Sequence, residues 1–300
     1  MDSELDQASF RFHQCVNYKH IDDIEQYNQA FAIIGFACDE GVRRNKGRLG
    51  ARLAPPAIRS LLAKLPYHLP KDVETIDIGD VSCESGDLEK AQEELGQVVS
   101  MLYEKNKTPI ILGGGHETLY GHYLGAKQFI GHDKTLGIIN IDAHFDMRDD
   151  EVPSSGTMFR QILEQDDKAS YLCLGIQEFG NTKSLFQTAE KLGCHYILEK
   201  DLTKDDFQHT FKTIDEFLNN NDHVIVTLCT DSIQSSAAPG VSAPSPFGIE
   251  PNTARTILNY IVSKENVLSF DISEVNPLLD EDEKTVRLAA YLVAEIMSSF

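Results

Sequence analysis

The feature that most constrains the fold is a regular alternation of short apolar runs with segments of helical period. β-Branched and aromatic residues dominate the apolar runs, which begin near residues 30, 74, 108, 137, 171, 194, 223 and 267. Between them, apolar residues recur three or four positions apart, the pattern of a helix that buries one face. This alternation predicts an α/β fold of βαβ units with a mainly parallel sheet of about eight strands and helices on both faces. Eight such units also permit a closed barrel.

Length and charge limit the domain organisation and the partners. No Pro/Gly/Ser-rich linker or repeat divides the 300 residues, so we predict one domain over residues 30–300 after an N-terminal extension, residues 1–29. A formal net charge of -20 argues against nucleic acids and anionic membrane surfaces as partners. No apolar run approaches the ~18 residues of a membrane span, and the acidic N-terminus lacks the layout of a signal peptide.

The cysteines indicate the redox compartment. Six cysteines are scattered along the chain, with no Cys-x-x-Cys motif, and several fall in strand-like runs. Buried free thiols in a reducing cytosol fit this distribution better than a disulfide framework does. We therefore expect a soluble cytoplasmic protein.

The apolar run at residues 137–141 leads into the clearest chemical motif. Asp142, His144 and Asp146 follow it at every second position, and an extended segment would direct all three side chains to one side. Two carboxylates and an imidazole suit a divalent ion such as Mn, Fe, Co or Zn. The alternative is a polar turn after a strand, with His144 as a cap, and for an isolated motif the two interpretations carry equal weight.

Polar residues also follow three other predicted strands. His116 comes after three glycines that end the run at residue 108, Cys229 and Asp231 end the run at residue 223, and Glu274 ends the last run. Ligands of parallel α/β folds gather at the carboxyl ends of the strands. Four strands that deliver such residues to one edge therefore indicate a binding site there.

As a set, these motifs resemble those of the arginase–agmatinase–formimidoylglutamase family, the ureohydrolases. The resemblance covers nearly everything from residue 30 onward and rests on residues 113–116, 142–146, 229–231 with 239–240, and 274–277. It implies an open three-layer α/β/α fold, rather than a barrel, in which the strands that carry the four motifs are adjacent. It also implies two manganese ions per subunit, bridged by a water or hydroxide that attacks an amidine carbon.

The resemblance implies roles for individual residues. Asp142 would bridge the ions, and Glu274 would meet the cationic nitrogen end of the substrate. These two are therefore the predicted catalytic residues. The alternative for Glu274 is an exposed acidic residue after a strand, without a role in catalysis. The predicted metal ligands are His116, Asp142, Asp146 and position 229 for one ion, and Asp142, His144, position 229 and Asp231 for the other.

One residue departs from the family pattern. Most members have Asp-x-Asp where this chain has Cys229, Thr230 and Asp231. Manganese prefers oxygen to sulfur, so a thiolate at position 229 predicts that one ion is held weakly. The alternative for Cys229 is a small buried strand residue, which is the commonest role of a free cysteine.

The loop after the central motif bears on the substrate. Arginases have a histidine in the region equivalent to residues 154–160, and this chain has none there. It has Arg160 instead, and a second cationic stretch at residues 43–48. Both stretches resemble those of formimidoylglutamases of bacterial histidine degradation, whose substrate has an acidic tail. The alternative for each arginine is a surface or structural ion pair. The predicted substrate-binding residues are Asn45, Arg48, Ser155, Thr157 and Arg160.

The leading interpretation is a manganese-dependent hydrolase that converts N-formimidoyl-L-glutamate and water to L-glutamate and formamide. One alternative is another ureohydrolase that acts on a guanidino compound such as agmatine, guanidinobutyrate or arginine. A second is a catalytically silent homologue with a binding role, which Cys229 alone favours. The sequence leaves a homo-oligomer open.

Overall fold

One parallel sheet forms the centre of the molecule. The computed structural model describes residues 9–24, 29–70, 73–202 and 207–300. Within them the sheet has nine strands in the order β1-β3-β2-β4-β9-β8-β5-β6-β7, and all neighbouring pairs are parallel. The strands are β1 (Val16–Tyr18), β2 (Ala30–Ala37), β3 (Glu74–Ser82), β4 (Lys107–Leu112), β5 (Leu136–Ile141), β6 (Ala169–Ile176), β7 (His195–Leu198), β8 (His223–Cys229) and β9 (Val267–Ser273).

Helices cover both faces of this sheet. They are α1 (Phe12–Cys15), α2 (Glu40–Arg44), α3 (Ala54–Leu62), α4 (Leu88–Glu104), α5 (Thr118–Ile130), α6 (Met158–Gln165), α7 (Lys183–Lys191), α8 (Phe207–Asn219), α9 (Pro251–Val262) and α10 (Lys284–Ser299). The apolar residues of α3, α8, α9 and α10 pack in one core, and those of α4, α5, α6 and α7 pack in another. The result is a three-layer α/β/α fold.

The central strand β5 shows why the sequence selects this arrangement. Its side chains alternate, so that Ile139 and Ile141 belong to one core and Ile138 to the other. All six residues of β5 are buried, as expected for a strand of a parallel sheet that helices cover on both faces. Burial of these β-branched side chains on two sides stabilises the centre of the sheet.

The structure confirms all eight predicted strands and adds β1. The order of the strands runs from β1 at one edge to β7 at the other, so the sheet of the described residues is open and not a barrel. β1 has only three residues, of which Asn17 and Tyr18 are exposed, and so short an edge strand leaves no hydrophobic pattern in the sequence. The first two residues of the cationic stretch 43–48, Arg43 and Arg44, belong to helix α2.

Part of the predicted N-terminal extension lies in the described structure. Residues 9–24 carry α1 and β1, and β1 pairs with β3. Residues 1–8 and 25–28 lie outside the described residues. The division of the chain at residue 29 stays a prediction.

The four strands that carry the motifs are adjacent, in the order β4-β9-β8-β5, as the resemblance implies. Their carboxyl ends are level, since Ile272 pairs with both Leu112 and Leu228, and Leu228 pairs with Ile141. The residues that follow each strand therefore meet at one edge of the sheet.

Two further observations concern the whole of the described chain. None of its helices has both the length and the apolar character needed to cross a bilayer. All six cysteines are free thiols in the described structure.

Candidate metal centre and substrate pocket

The loop after β4 places His116 at the level edge of the sheet. Residues 113–115 are glycines, and a Cβ at Gly114 would lie 1.8 Å from the carbonyl oxygen of Cys38. The amide of Gly115 donates to the same carbonyl at 2.9 Å. Only a residue without a side chain fits between the ends of β2 and β4 at this point.

His116 forms one group of candidate ligands with two carboxylates. Its Nδ1 lies 3.0 Å from Oδ2 of Asp142 and 2.9 Å from Oδ2 of Asp146. The ligand atoms of His116, Asp142 and Cys229 all lie within 4.8 Å of one another. Four predicted ligands of one ion thus come together in the structure.

His144 forms a second group on the other side of Asp142. Its Nδ1 lies 3.5 Å from Oδ1 of Asp142 and 3.3 Å from Oδ2 of Asp231. The ligand atoms of Asp142, His144 and Asp231 also lie within 4.8 Å of one another. One carboxylate oxygen of Asp142 therefore faces each histidine, which is the placement that a bridging ligand requires.

Two residues of the site have an unusual backbone conformation. Asp146 has φ 49° and Glu274 has φ 67°, in the left-handed region that non-glycine residues seldom adopt. Such strain persists only where surrounding structure enforces it, and it is concentrated at functional sites. At both positions it directs a carboxylate towards the pocket, which Asp146 and Glu274 both line.

The electrostatics of the cluster are those of a cation site. Burial disfavours the charged form of His116, but hydrogen bonds with Asp142 and Asp146 outweigh it and raise the pKa of this imidazole. Burial likewise opposes ionisation of Asp142, yet the two histidines hold its pKa below the usual value. Several carboxylates are thus buried together, and buried anions are stable only when they are paired or coordinate a metal. The residues present fit divalent metal ions that prefer hard oxygen and imidazole ligands.

Glu274 projects from the end of β9 into the same pocket. Its Oε1 accepts the backbone N–H of His116 at 3.0 Å. Burial, together with the negative charges of Asp231 and Glu117, raises the pKa of Glu274. A cationic group that entered the pocket would relieve this repulsion.

A polar cluster in the same pocket includes a cation, Arg148, that was not among the residues predicted from the sequence. Nη1 of Arg148 donates to Oδ1 of Asn45 at 2.6 Å, and Nδ2 of Asn45 donates to Oγ of Ser155 at 3.1 Å. All three residues line the pocket that contains His116, His144 and Glu274. The predicted residues Asn45 and Ser155 are therefore brought to the site, and Arg148 joins them.

The structure does not bring Arg160 to this pocket, contrary to its predicted role. Its guanidinium pairs with Asp149 at 2.9 Å and with Glu164 at 2.8 Å, because helix α6 places Glu164 one turn beyond it. Arg160 is not among the residues that line the pocket. Arg148 lines the pocket, as had been expected of Arg160. The sequence offered one signal for Arg148, which is its position two residues after the predicted ligand Asp146.

Arg48 and Thr157 also lie apart from the pocket lining. Arg48 donates to the carbonyl oxygens of Ser242 and Val241 at 2.9 and 2.7 Å, so it anchors the loop that follows β8. Thr157 is buried, and its hydroxyl bonds to the backbone of Ser154 at 2.9 and 3.2 Å, which closes a turn. Both residues support the walls of the pocket and do not line it.

The two remaining arginines of the cationic stretch are committed to ion pairs. Arg43 pairs with Glu40 at 2.6 Å, and Arg44 pairs with Glu40 at 3.0 Å and with Glu89 at 2.6 Å. These contacts agree with the alternative interpretation of Arg43 and Arg44, in which each arginine forms a surface or structural ion pair.

Comparisons with known proteins agree with this geometry. The model of the arginase family matches residues 29–298. A formimidoylglutamase of Geobacillus sp. (strain WCH70) is 53% identical over 302 residues, which cover 100% of this chain and 93% of that protein. The crystal structure of formimidoylglutamase from Bacillus subtilis superposes with a TM-score of 0.86 at 24% identity, covering 96% of this chain and 91% of the other. Trypanosoma cruzi formiminoglutamase with Mn²⁺ gives a TM-score of 0.82 at 26% identity, with 94% and 98% covered.

Proposed function

The chain belongs to the arginase family, and on that premise we propose that it hydrolyses N-formimidoyl-L-glutamate to L-glutamate and formamide. The observation that carries this proposal is the pocket itself, because a buried cluster of metal-type ligands and the cation Arg148 line the same pocket. Such a pocket suits a substrate with an amidine at one end and carboxylates at the other. Relatives that match the whole chain at 49–53% identity are formimidoylglutamases.

We further propose that two manganese ions occupy the cluster. His116, Asp142, Asp146 and Cys229 would hold one, and Asp142, His144, Cys229 and Asp231 the other. Two ligand groups that share Asp142 support the count of two, and a solved relative contains Mn²⁺. Bound manganese would lower the pKa of a water molecule towards neutrality and stabilise negative charge in the transition state.

Glu274 orients the reacting end of the substrate. Because its Oε1 is held by the amide of His116, Oε2 is available to the amidinium, and a charge-assisted hydrogen bond between them is stronger than a neutral one. In the overall reaction the water oxygen adds to the amidine carbon, the bond from that carbon to the glutamate nitrogen breaks, and this nitrogen leaves with a proton. Formamide keeps the other nitrogen.

Arg148 binds the remote end of the substrate. A guanidinium can meet a carboxylate with two parallel hydrogen bonds, and Asn45 already fixes the direction of this side chain. Binding energy from a remote group of the substrate also positions the reacting carbon. Recognition of the acidic tail therefore supports turnover as well as affinity.

The alternatives fit the pocket less well. Arginine and agmatine have a cationic group at or near the end remote from the guanidine, and a cation such as Arg148 does not favour it. A catalytically silent homologue would need no buried set of carboxylates and imidazoles around Asp142. The net charge of -20 and the six free thiols support the further proposals of a cytoplasmic enzyme that binds no nucleic acid.

A panel of substrates tests the proposed activity. Purified protein supplied with Mn²⁺ is assayed with formimidoylglutamate, arginine, agmatine and guanidinobutyrate, and release of formamide or urea is measured. We expect kcat/KM for formimidoylglutamate to exceed that of each guanidino compound by at least 100-fold, as expected of a pocket with buried polar groups built for one tail. Equal or faster release of urea from any of the three would contradict the proposal.

A further inference from the structure

A chain of buried polar residues extends from the candidate metal centre into the core beneath it. Nε2 of His116, the nitrogen that faces away from Asp142 and Asp146, lies 3.2 Å from Oγ1 of Thr227. Oγ1 of Thr227 in turn donates to Oδ1 of Asp271 at 2.7 Å. Thr227 and Asp271 are both fully buried, so this contact is shielded from water.

Asp271 is the centre of this chain, which we call the Asp271 network (Thr227, Asp271, Ser273, His122, Ser269 and Tyr103). Ser273 donates to Oδ1 of Asp271 at 3.2 Å, and Nδ1 of His122 lies 2.7 Å from Oδ2. Nε2 of His122 contacts Oγ of Ser269 at 2.6 Å, and Ser269 contacts the hydroxyl of Tyr103. The network thus runs from the metal side of β8 and β9 to helices α4 and α5.

The central carboxylate fixes the direction of the hydrogen bonds. The hydroxyl of Thr227 donates to Oδ1 of Asp271, so its hydrogen points away from His116. The oxygen of Thr227 then presents a lone pair to His116, and Nε2 of His116 must carry the hydrogen between them. Nδ1 of His116 faces Asp142 and Asp146 and hydrogen-bonds with them while it is protonated. Metal binding displaces that hydrogen, and an imidazole that keeps its other hydrogen on Nε2 then has a free lone pair on Nδ1.

We propose that Thr227, oriented by Asp271, is a positioning residue that holds His116 in its metal-binding form, with Nδ1 free to ligate. This inference rests on the proposed metal centre and adds a residue that does not itself touch metal or substrate. Partners of this kind fix the tautomer and ring orientation of a ligating histidine, and their loss typically costs about 10–100-fold in metal affinity.

The second histidine of the site provides an internal comparison. The side chain of His144 is 29% exposed, against 1% for His116, and no residue in the described part of the chain bonds to its Nε2. Only the His116 side of the centre is therefore oriented by a buried network. Loss of the Thr227 hydroxyl should weaken one manganese site and leave the other unchanged.

Manganese binding by three variants tests the inference. Thr227→Val removes the hydroxyl at nearly constant shape, Thr227→Ser keeps it, and Ser273→Ala removes a different donor to the same carboxylate without contact to His116. Isothermal titration of each metal-free protein with MnCl₂ gives the two dissociation constants, and thermal unfolding of the same samples shows that each variant is folded. We expect Thr227→Val to weaken one site about 10–100-fold, while Thr227→Ser and Ser273→Ala bind like the parent.

Three results would overturn the proposed role of Thr227. Two unchanged dissociation constants in folded Thr227→Val would overturn the inference, and so would equal weakening by Ser273→Ala, since the network would then act only through general stability. Weakening by Thr227→Ser as strong as that by Thr227→Val would also overturn it. A parent protein that binds fewer than two manganese ions would instead contradict the proposed metal centre.

Discussion

The thiol of Cys229 donates a hydrogen bond to Oδ1 of Asp231, with the sulfur 3.0 Å from that oxygen. The same sulfur belongs to the ligand group of His116, whereas Asp231 belongs to that of His144. Cys229 therefore stands between the two proposed manganese sites. Burial and the charges of the surrounding carboxylates raise the pKa of this thiol, so a bound cation is needed to favour the thiolate here.

The first prediction concerns this cysteine. Cys229→Asp should tighten manganese binding, because a hard oxygen replaces sulfur, and Cys229→Ala should weaken at least one site by about tenfold or more, as for loss of a supporting group. Metal analysis after gel filtration measures both effects. Alkylation provides the control, since manganese should protect the parent thiol. If Cys229→Ala retains as much metal as the parent, and alkylation proceeds at one rate with and without manganese, Cys229 serves only in packing.

The second prediction separates the two arginines of the loop after β5. Arg148→Ala should lower kcat/KM for formimidoylglutamate about 10–100-fold, because a hydrogen bond to a charged group contributes about 1.5–3 kcal/mol. Arg148→Lys should recover only part of the loss, since an ammonium lacks the planar fork. Arg160→Ala is the matched control and should behave as the parent, because Asp149 and Glu164 hold that side chain. If steady-state kinetics instead show a large loss of kcat/KM for Arg160→Ala and none for Arg148→Ala, Arg160 and not Arg148 binds the acidic tail of the substrate.

The third prediction concerns the backbone beneath the site. An added Cβ at Gly114 would lie 1.8 Å from one carbonyl oxygen and 2.9 Å from another, and backbone cannot move aside as a flexible side chain can. Gly114→Ala should therefore lower the free energy of unfolding by more than about 3 kcal/mol, as severe overpacking does. Gly193→Ala is the control, because its Cβ would meet nothing within 4 Å and only the positive φ costs about 1–2 kcal/mol. Urea denaturation that gives similar losses for both would refute the close-approach argument.

The sequence predicted the layers, the eight longer strands and the ligand cluster for the same physical reason. Buried parallel strands such as β5 are continuous apolar runs, and their ends fall at one edge whatever the details of the helices. Asp142, His144 and Asp231 could therefore be placed together from sequence alone. β1 could not be predicted, because a three-residue edge strand with two exposed residues leaves no periodic pattern.

The orientation of the arginine side chains could not be predicted from the sequence. A long cationic side chain reaches whichever carboxylate lies nearest in space, and for Arg44 this is Glu89, 45 positions away in the chain. Arg160 is withdrawn by a local partner, Glu164, and Arg148 is directed to the pocket by Asn45, which is 103 positions away. A count of cations near a motif cannot distinguish these cases.

The most direct test of the proposed binuclear hydrolase is a titration of the metal-free protein with manganese, in which formamide release from formimidoylglutamate is measured at each step. We expect no turnover without metal, and activity that reaches its maximum only as two ions per subunit are bound. Asp142→Ala, folded but without the shared carboxylate, should remain inactive throughout. Full turnover by the metal-free protein, or by Asp142→Ala, would contradict the account.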